Sequence, residues 1–152
     1  MTEHERMLTL LWRNPHILQN ALKLNSIFIR GTEYPVCPVS DDRVDLVFQD
    51  KMNLACPEKD TTLYVLELKS HEEADHIVLG QIKKAVEVLK TVGKQTKHWN
   101  NVEGVAIAKG YTRSGLRLIL EEGYRAFLWN EAQEGVKLHE LTGRRCRRKI
   151  CK

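Results

Sequence analysis

The stretch Tyr64-Val65-Leu66-Glu67-Leu68-Lys69-Ser70 decides how this chain is read. It is an apolar run of strand length that ends in an acid and an amine two residues apart. Strand alternation sends Glu67 and Lys69 to one face and Leu68 to the other, so the charges share a surface while the leucine packs. Charge inside such a run is costly unless something compensates it. Upstream, Val44-Asp45-Leu46-Val47-Phe48 repeats the pattern with a single acid. If the two runs are neighbouring strands, Asp45 meets Glu67 and Lys69, and a divalent cation between the carboxylates is the compensation the pattern predicts.

A polar loop that includes Gln49-Asp50-Lys51 and Cys56-Pro57-Glu58-Lys59-Asp60 separates the runs, which therefore read as a long hairpin with strands over 44–48 and 61–68. Ahead of it, 27–30 and 33–36 read as a strand interrupted at Gly31, held at a sheet edge or in a loop by Pro35 and Pro38. The chain opens with Met7, Leu8, Leu10, Leu11, Ile17, Leu18, Ala21 and Leu22, divided by Asn14-Pro15, which predicts two short helices. Thr2 and Glu5 have capping-box spacing for the first helix, and Asn14 is expected to cap the second with Pro15 at its first position.

Downstream of the hairpin, 74–97 reads as a helix with Ile77, Gln81, Val88 and Val92 on one side and Ala85 and Leu89 beside them. Gly104-Val105-Ala106-Ile107-Ala108 is the continuous apolar run of a strand buried on both faces after a helical crossover. Residues 112–122 predict a helix closed by Gly123, 124–129 a further strand, and 136–141 a last one. The alternation predicts an α/β fold, a central mixed sheet flanked by helices.

At 152 residues the chain is expected to form one domain with a substantial core. No apolar stretch approaches the roughly 20 residues of a membrane helix, so no membrane partner is expected. The start, Met1-Thr2-Glu3-His4-Glu5-Arg6, lacks the order of a secretory signal, and an intracellular location is the expectation. Arg144, Arg145, Arg147, Arg148, Lys149 and Lys152 exceed the net charge of +4 by two, so the body carries −2 and only the tail is basic. Such a tail suits a polyanion, and a solvated charge run is the plainer alternative. Cys37, Cys56, Cys146 and Cys151 are spaced too loosely for the usual zinc-ligand pairs, so reduced thiols are expected.

With Asp45 on the second strand, Glu67-Leu68-Lys69 on the third and Gln81 on the following helix, the chain resembles the PD-(D/E)XK nuclease superfamily. Within it the likeness is to the catalytic domain of the NucS or EndoMS mismatch endonucleases. It runs from Glu33-Tyr34 through Val44-Asp45-Leu46, Val65-Leu66-Glu67-Leu68-Lys69, Gly80-Gln81, Val86-Glu87-Val88-Leu89, Gly104-Val105-Ala106-Ile107 and Ser114-Gly115 to Leu120. The resemblance implies a restriction-endonuclease-like core of order αβββαβ, with an added helix and strand, over 1–142, followed by a basic tail over 143–152. It implies a Mg²⁺- or Mn²⁺-dependent DNA endonuclease, a hydrolase of phosphodiester bonds acting in repair on mismatched, branched or otherwise structured DNA. A restriction-type endonuclease and a non-cleaving nucleic-acid-binding module on the same fold remain open alternatives. The relatives carry a separate amino-terminal DNA-binding and dimerisation domain that this sequence does not show, so mismatch recognition is not carried over and a homodimer is an open expectation.

Asp45 and Glu67 offer the hard oxygen ligands that Mg²⁺ prefers, and the backbone carbonyl of Leu68 offers another. Lys69 is expected either to orient or deprotonate the attacking water or to stabilise charge growing on phosphorus. Gln81 is expected to hold the water or a phosphate oxygen. The superfamily usually adds an acid from its first helix. Glu3 is favoured because Met7, Leu10 and Leu11 lie at offsets 4, 7 and 8 from it, while Glu5 completes the cap. Glu33 is a third candidate because it matches a glutamate ahead of the aspartate strand in the relatives. Lys83, Lys84, Arg144, Arg145, Arg147 and Arg148 are the candidate DNA contacts. Trp12, Trp99 and Trp129 are expected to pack, and His71 and His76 to lie at the surface.

Overall fold

In the computed structural model, residues 1–35, 43–50, 61–70 and 74–142 are described, and they form one six-stranded sheet with helices on both faces. Two helices come first, α1 (Glu3–Arg13) and α2 (His16–Leu22), then three strands, β1 (Ile27–Pro35), β2 (Arg43–Asp50) and β3 (Thr62–Lys69). The long helix α3 (His76–Thr96), β4 (Asn101–Ala108), α4 (Arg113–Glu121), β5 (Arg125–Ala132) and β6 (Gly135–Leu141) follow. The strands lie in sequence order: β1, β2 and β3 pair antiparallel, β3, β4 and β5 parallel, and β5 and β6 antiparallel. The α/β architecture with a mixed sheet is the one expected from the alternation of strands and helices. All four cysteines, His71 and the basic tail lie outside the described residues.

Alternation in β3 explains the two-sided core. Leu63 and Val65 pack with Val78, Ile82, Ala85, Val86 and Leu89 of α3 and with Leu116 and Ile119 of α4. Tyr64, Leu66 and Leu68 pack on the other face with Met7, Leu8 and Leu11 of α1 and Leu18 and Leu22 of α2. Glu67 and Lys69 continue the Leu63–Val65 set, and Asp45 shares the parity of Val47, so all three acidic or basic groups project on the α3 side. The interruption at Gly31 is a bulge: Ile29 pairs with Phe48 and Gly31 with Val47, leaving Arg30 as the extra residue of an edge strand.

Three local expectations are corrected. The buried face of α3 is Val78, Ile82, Ala85, Val86, Leu89 and Gly93, one residue round from the expected side, and Ile77 is 57% exposed. Trp99 fixes that rotation. Its indole N–H donates to the Leu89 carbonyl at 2.9 Å, and a Cβ at Gly93 would lie 2.4 Å from the same nitrogen, so the helix can lie against this ring only through its glycine. Asn14 does not cap α2. Its side-chain amide donates to the Leu10 carbonyl at 2.9 Å and closes α1, while Pro15 holds the cap position of α2 without a side-chain bond. Thr2 and Glu5 do form the capping box, at 3.1 and 3.2 Å. Trp99 and Trp129 are buried as expected, whereas Trp12 is 41% exposed under the Arg13 guanidinium.

Candidate active site

The β2–β3 ladder pairs Leu46 with Leu66, and one step further along that antiparallel register Asp45 comes beside Glu67. There a side chain takes over the pairing: the Leu68 N–H donates to Asp45 Oδ2 at 2.7 Å. The strands thus end in a cleft of ≈330 Å³ lined by Asp45, Glu67, Leu68, Lys69, Gln81, Ser70 and His4. Gln81 reaches it from the second turn of α3, on the exposed side of that helix. The rotation of α3 by one residue leaves Gln81 at the mouth of the cleft, away from the apolar packing.

Glu67 is the most constrained group of the set. It is only 7% exposed, and its Oε1 has no hydrogen-bond partner among the described residues. Burial pushes its carboxyl well above the usual carboxylate range, and the neighbouring Asp45 adds repulsion and a shared hydrogen bond in the same direction. The Asp45 backbone N–H pulls the other way and is outweighed. Two carboxyls this close, one of them sealed and with a free oxygen lone pair, form a donor pair that a divalent cation would satisfy. Among the described residues no three His, Cys, Asp or Glu side chains are drawn together as a preformed cage. Two carboxylates with water and phosphate filling the remaining positions is the arrangement Mg²⁺ ordinarily takes.

The structure does not bring Glu3 or Glu33 into the cleft. Glu3 pairs with Arg6 at 2.7 Å and with Lys109 at 2.6 Å, and Arg6 continues to Glu131 at 2.8 Å. The Arg6 hydrogen bond first, and the Lys109 bond next, hold the Glu3 carboxyl down at about 2. Glu33 sits in β1 at φ 45°, where its carbonyl accepts from Arg43 at 3.3 Å. The first-helix side chain at the cleft is His4, whose Nε2 lies 3.1 Å from Asp45 Oδ1. The expected face of α1 was set by Leu10, which is only half-buried. The residues that pack are Met7, Leu8 and Leu11, at offsets 3, 4 and 7 from His4, and that spacing was the available signal. Ser70, 6% exposed, is the other lining residue that sequence reasoning missed.

Lys83 and Lys84 are exposed on α3 and do not line the cleft. Lys83 lies 3.6 Å from Glu122 of the α4 C-cap, whereas Lys84 follows Gln81 by three residues and shares its side of the helix. His76 is exposed, as expected. Arg144, Arg145, Arg147 and Arg148 lie outside the described residues.

Two solved structures share this fold. One is an EndoMS–dsDNA complex, with TM-score 0.59 and 24% identity, matched over 83% of this chain and 44% of that one. The other is the crystal structure of a repair endonuclease from Pyrococcus abyssi, with TM-score 0.58 and 26% identity, over 83% and 46%. The chain has the mixed-sheet nuclease fold of these NucS/EndoMS neighbours and spans less than half the length of each. No protein-family model and no curated protein matches the sequence.

Proposed function

We propose that the protein is a metal-dependent DNA endonuclease that hydrolyses phosphodiester bonds and acts in repair on mismatched, branched or otherwise structured DNA. The observation that carries the reading is the meeting of Asp45, Glu67, Lys69 and Gln81 in one cleft, with a buried, unpartnered oxygen on Glu67. The likeness in fold to an endonuclease–DNA complex and to a repair endonuclease supports it.

Asp45, Glu67 and the Leu68 carbonyl are the groups that would hold Mg²⁺ or Mn²⁺, which when bound supplies Lewis-acid charge and lowers the pKa of a bound water. The remaining steps belong to the chain itself. The Leu68 N–H holds Oδ2 of Asp45, so the carboxylate is oriented before any substrate arrives. Burial keeps Glu67 out of bulk water, where its charge would be screened. Lys69, on the same face two residues on, brings an ammonium group to the cleft. It positions the attacking water and offsets negative charge on the phosphorus oxygens as the bond to the leaving oxygen breaks. The Gln81 amide, at the mouth, hydrogen-bonds a phosphate oxygen or the water. Lys84, on the Gln81 side of α3, and the tail arginines add sequence-independent attraction to the backbone.

The test incubates the protein with plain duplex, mismatched, branched and single-stranded DNA in Mg²⁺, Mn²⁺ or EDTA, beside Glu67→Ala and Lys69→Ala. Cleavage in either ion that EDTA and both substitutions abolish is the expected result. Cleavage that persists through all three refutes the reading, and so does DNA binding without cleavage in either ion on every substrate.

A further inference from the structure

We propose that His4 is a direct ligand of the cation held in the cleft, and that its nitrogen biases the site toward Mn²⁺ over Mg²⁺. This rests on reading the cleft as a cation site. The imidazole lies at the right atom. Asp45 Oδ2 is taken by the Leu68 N–H at 2.7 Å, so Oδ1 is the oxygen open to a cation, and His4 Nε2 stands 3.1 Å from it. Two donors bound side by side to one octahedral ion, each at about 2.1 Å, lie about 3.0 Å apart. A cation can therefore take both atoms with little movement of either side chain. Glu67 brings a buried oxygen with no partner among the described residues into the same cleft.

The backbone of His4 is held on both sides. Its neighbour Glu3 is bonded to Lys109 at 2.6 Å, Arg6 is bonded to Glu131 at 2.8 and 2.9 Å, and the capping box closes the start of the helix around it. These contacts tie the first turn of α1 to the end of β4 and to β5, so the ring is delivered to the cleft by a fixed scaffold. Its side chain is 31% exposed, open enough to meet an ion entering from solvent. Imidazole is a softer donor than carboxylate or water. Mg²⁺ takes oxygen ligands almost exclusively and gives up its waters reluctantly, whereas Mn²⁺ accepts mixed nitrogen and oxygen sets.

Electron spin-echo spectroscopy of the wild-type protein loaded with one Mn²⁺ reads the ligand directly, because a bound imidazole imprints ¹⁴N modulation. The modulation is expected in the wild type, in His71→Ala and in His76→Ala, and absent in His4→Ala. In parallel titration calorimetry, His4→Ala is expected to weaken Mn²⁺ by about tenfold or more and Mg²⁺ by less than about threefold. Absence of ¹⁴N modulation in the wild type, its persistence in His4→Ala, or an equal loss for both ions overturns the proposal while leaving a carboxylate cation site standing. If the wild type binds neither ion, or if Asp45→Asn and Glu67→Gln leave binding untouched, the cation-site reading falls and this inference with it.

Discussion

Replacing Glu67 by Gln should stabilise the metal-free protein, by an amount that grows with pH. Burial, then Asp45, pushes the Glu67 carboxyl from 4.5 up to about 9 in the fold, whereas the unfolded chain keeps the ordinary value. A folded-state value raised above the unfolded one means that the native state holds the extra proton. That contribution is full below the unfolded value and is lost as pH climbs toward the folded one, so stability falls between roughly pH 4.5 and pH 9. At pH 7 the loss is about 3 kcal/mol, at about 1.4 kcal/mol per unit, and it is an upper bound because the proton is shared with Asp45. Glutamine keeps the shape and has no proton to lose. Urea unfolding in EDTA should therefore find Glu67→Gln and wild type within about 0.5 kcal/mol of each other at pH 4.5. By pH 8 the variant should be more stable by about 1 to 5 kcal/mol, or several degrees in Tm for a chain of this length. Mn²⁺ at pH 8 should close the gap by stabilising only the wild type. A difference that stays constant with pH, or a variant that is less stable at pH 8, would refute the account of this carboxyl.

Three further outcomes follow from the packing and the charge. Tyr111 is buried with its hydroxyl 3.0 Å from the Ala106 carbonyl and 2.8 Å from that of Phe127, and it accepts from the Phe127 N–H at 3.2 Å. Tyr111→Phe leaves that N–H short of a partner at the β4–β5 seam and should cost about 1 to 3 kcal/mol in thermal or urea unfolding. Gly115→Ala would set a Cβ 2.7 Å from the Asp75 Cα and 2.8 Å from the Ala74 carbonyl, backbone atoms that cannot turn aside. It should cost about 1 to 3 kcal/mol and, by displacing the start of α3, should lower cleavage through Gln81. Deleting 143–152 removes six cations, so the log–log salt dependence of DNA binding should become shallower by up to about five, with Mn²⁺ affinity unchanged.

The parts of the fold written in local pattern were legible in the sequence. The alternation at 64–69, the continuous run at 104–108 and the Thr2–Glu5 spacing each state their structure within a few residues, and they place β3, β4 and the start of α1. What local pattern could not supply was decided at a distance. Two faces of α3 are apolar enough to bury, and the choice between them is made by Trp99, which seats on Gly93 and bonds Leu89. Asn14 can cap forward or backward, and the Leu10 carbonyl at the end of α1, which accepts from both its backbone N–H and its side-chain amide, captures it. The site divides the same way. Asp45, Glu67 and Lys69 announce themselves as charges inside apolar strands, and Gln81 by its place on the next helix. Glu3 is favoured among the first-helix acids by the offsets of Met7, Leu10 and Leu11, but acids also make salt bridges, and Lys109 and Arg6 claim it. His4 carries no motif; its only signal in the sequence is that Met7, Leu8 and Leu11 share its face of α1, and its distance to Asp45 then separates it from a surface histidine.

The central claim, that one cation is held between residues 45 and 67 beside Lys69, is tested most directly by a crystal structure of the protein soaked in Mn²⁺ and phased for anomalous scattering. The account predicts a single strong peak about 2.2 Å from carboxylate oxygens of both Asp45 and Glu67. A difference map that is empty there in saturating Mn²⁺, or a peak bound only elsewhere, would contradict it.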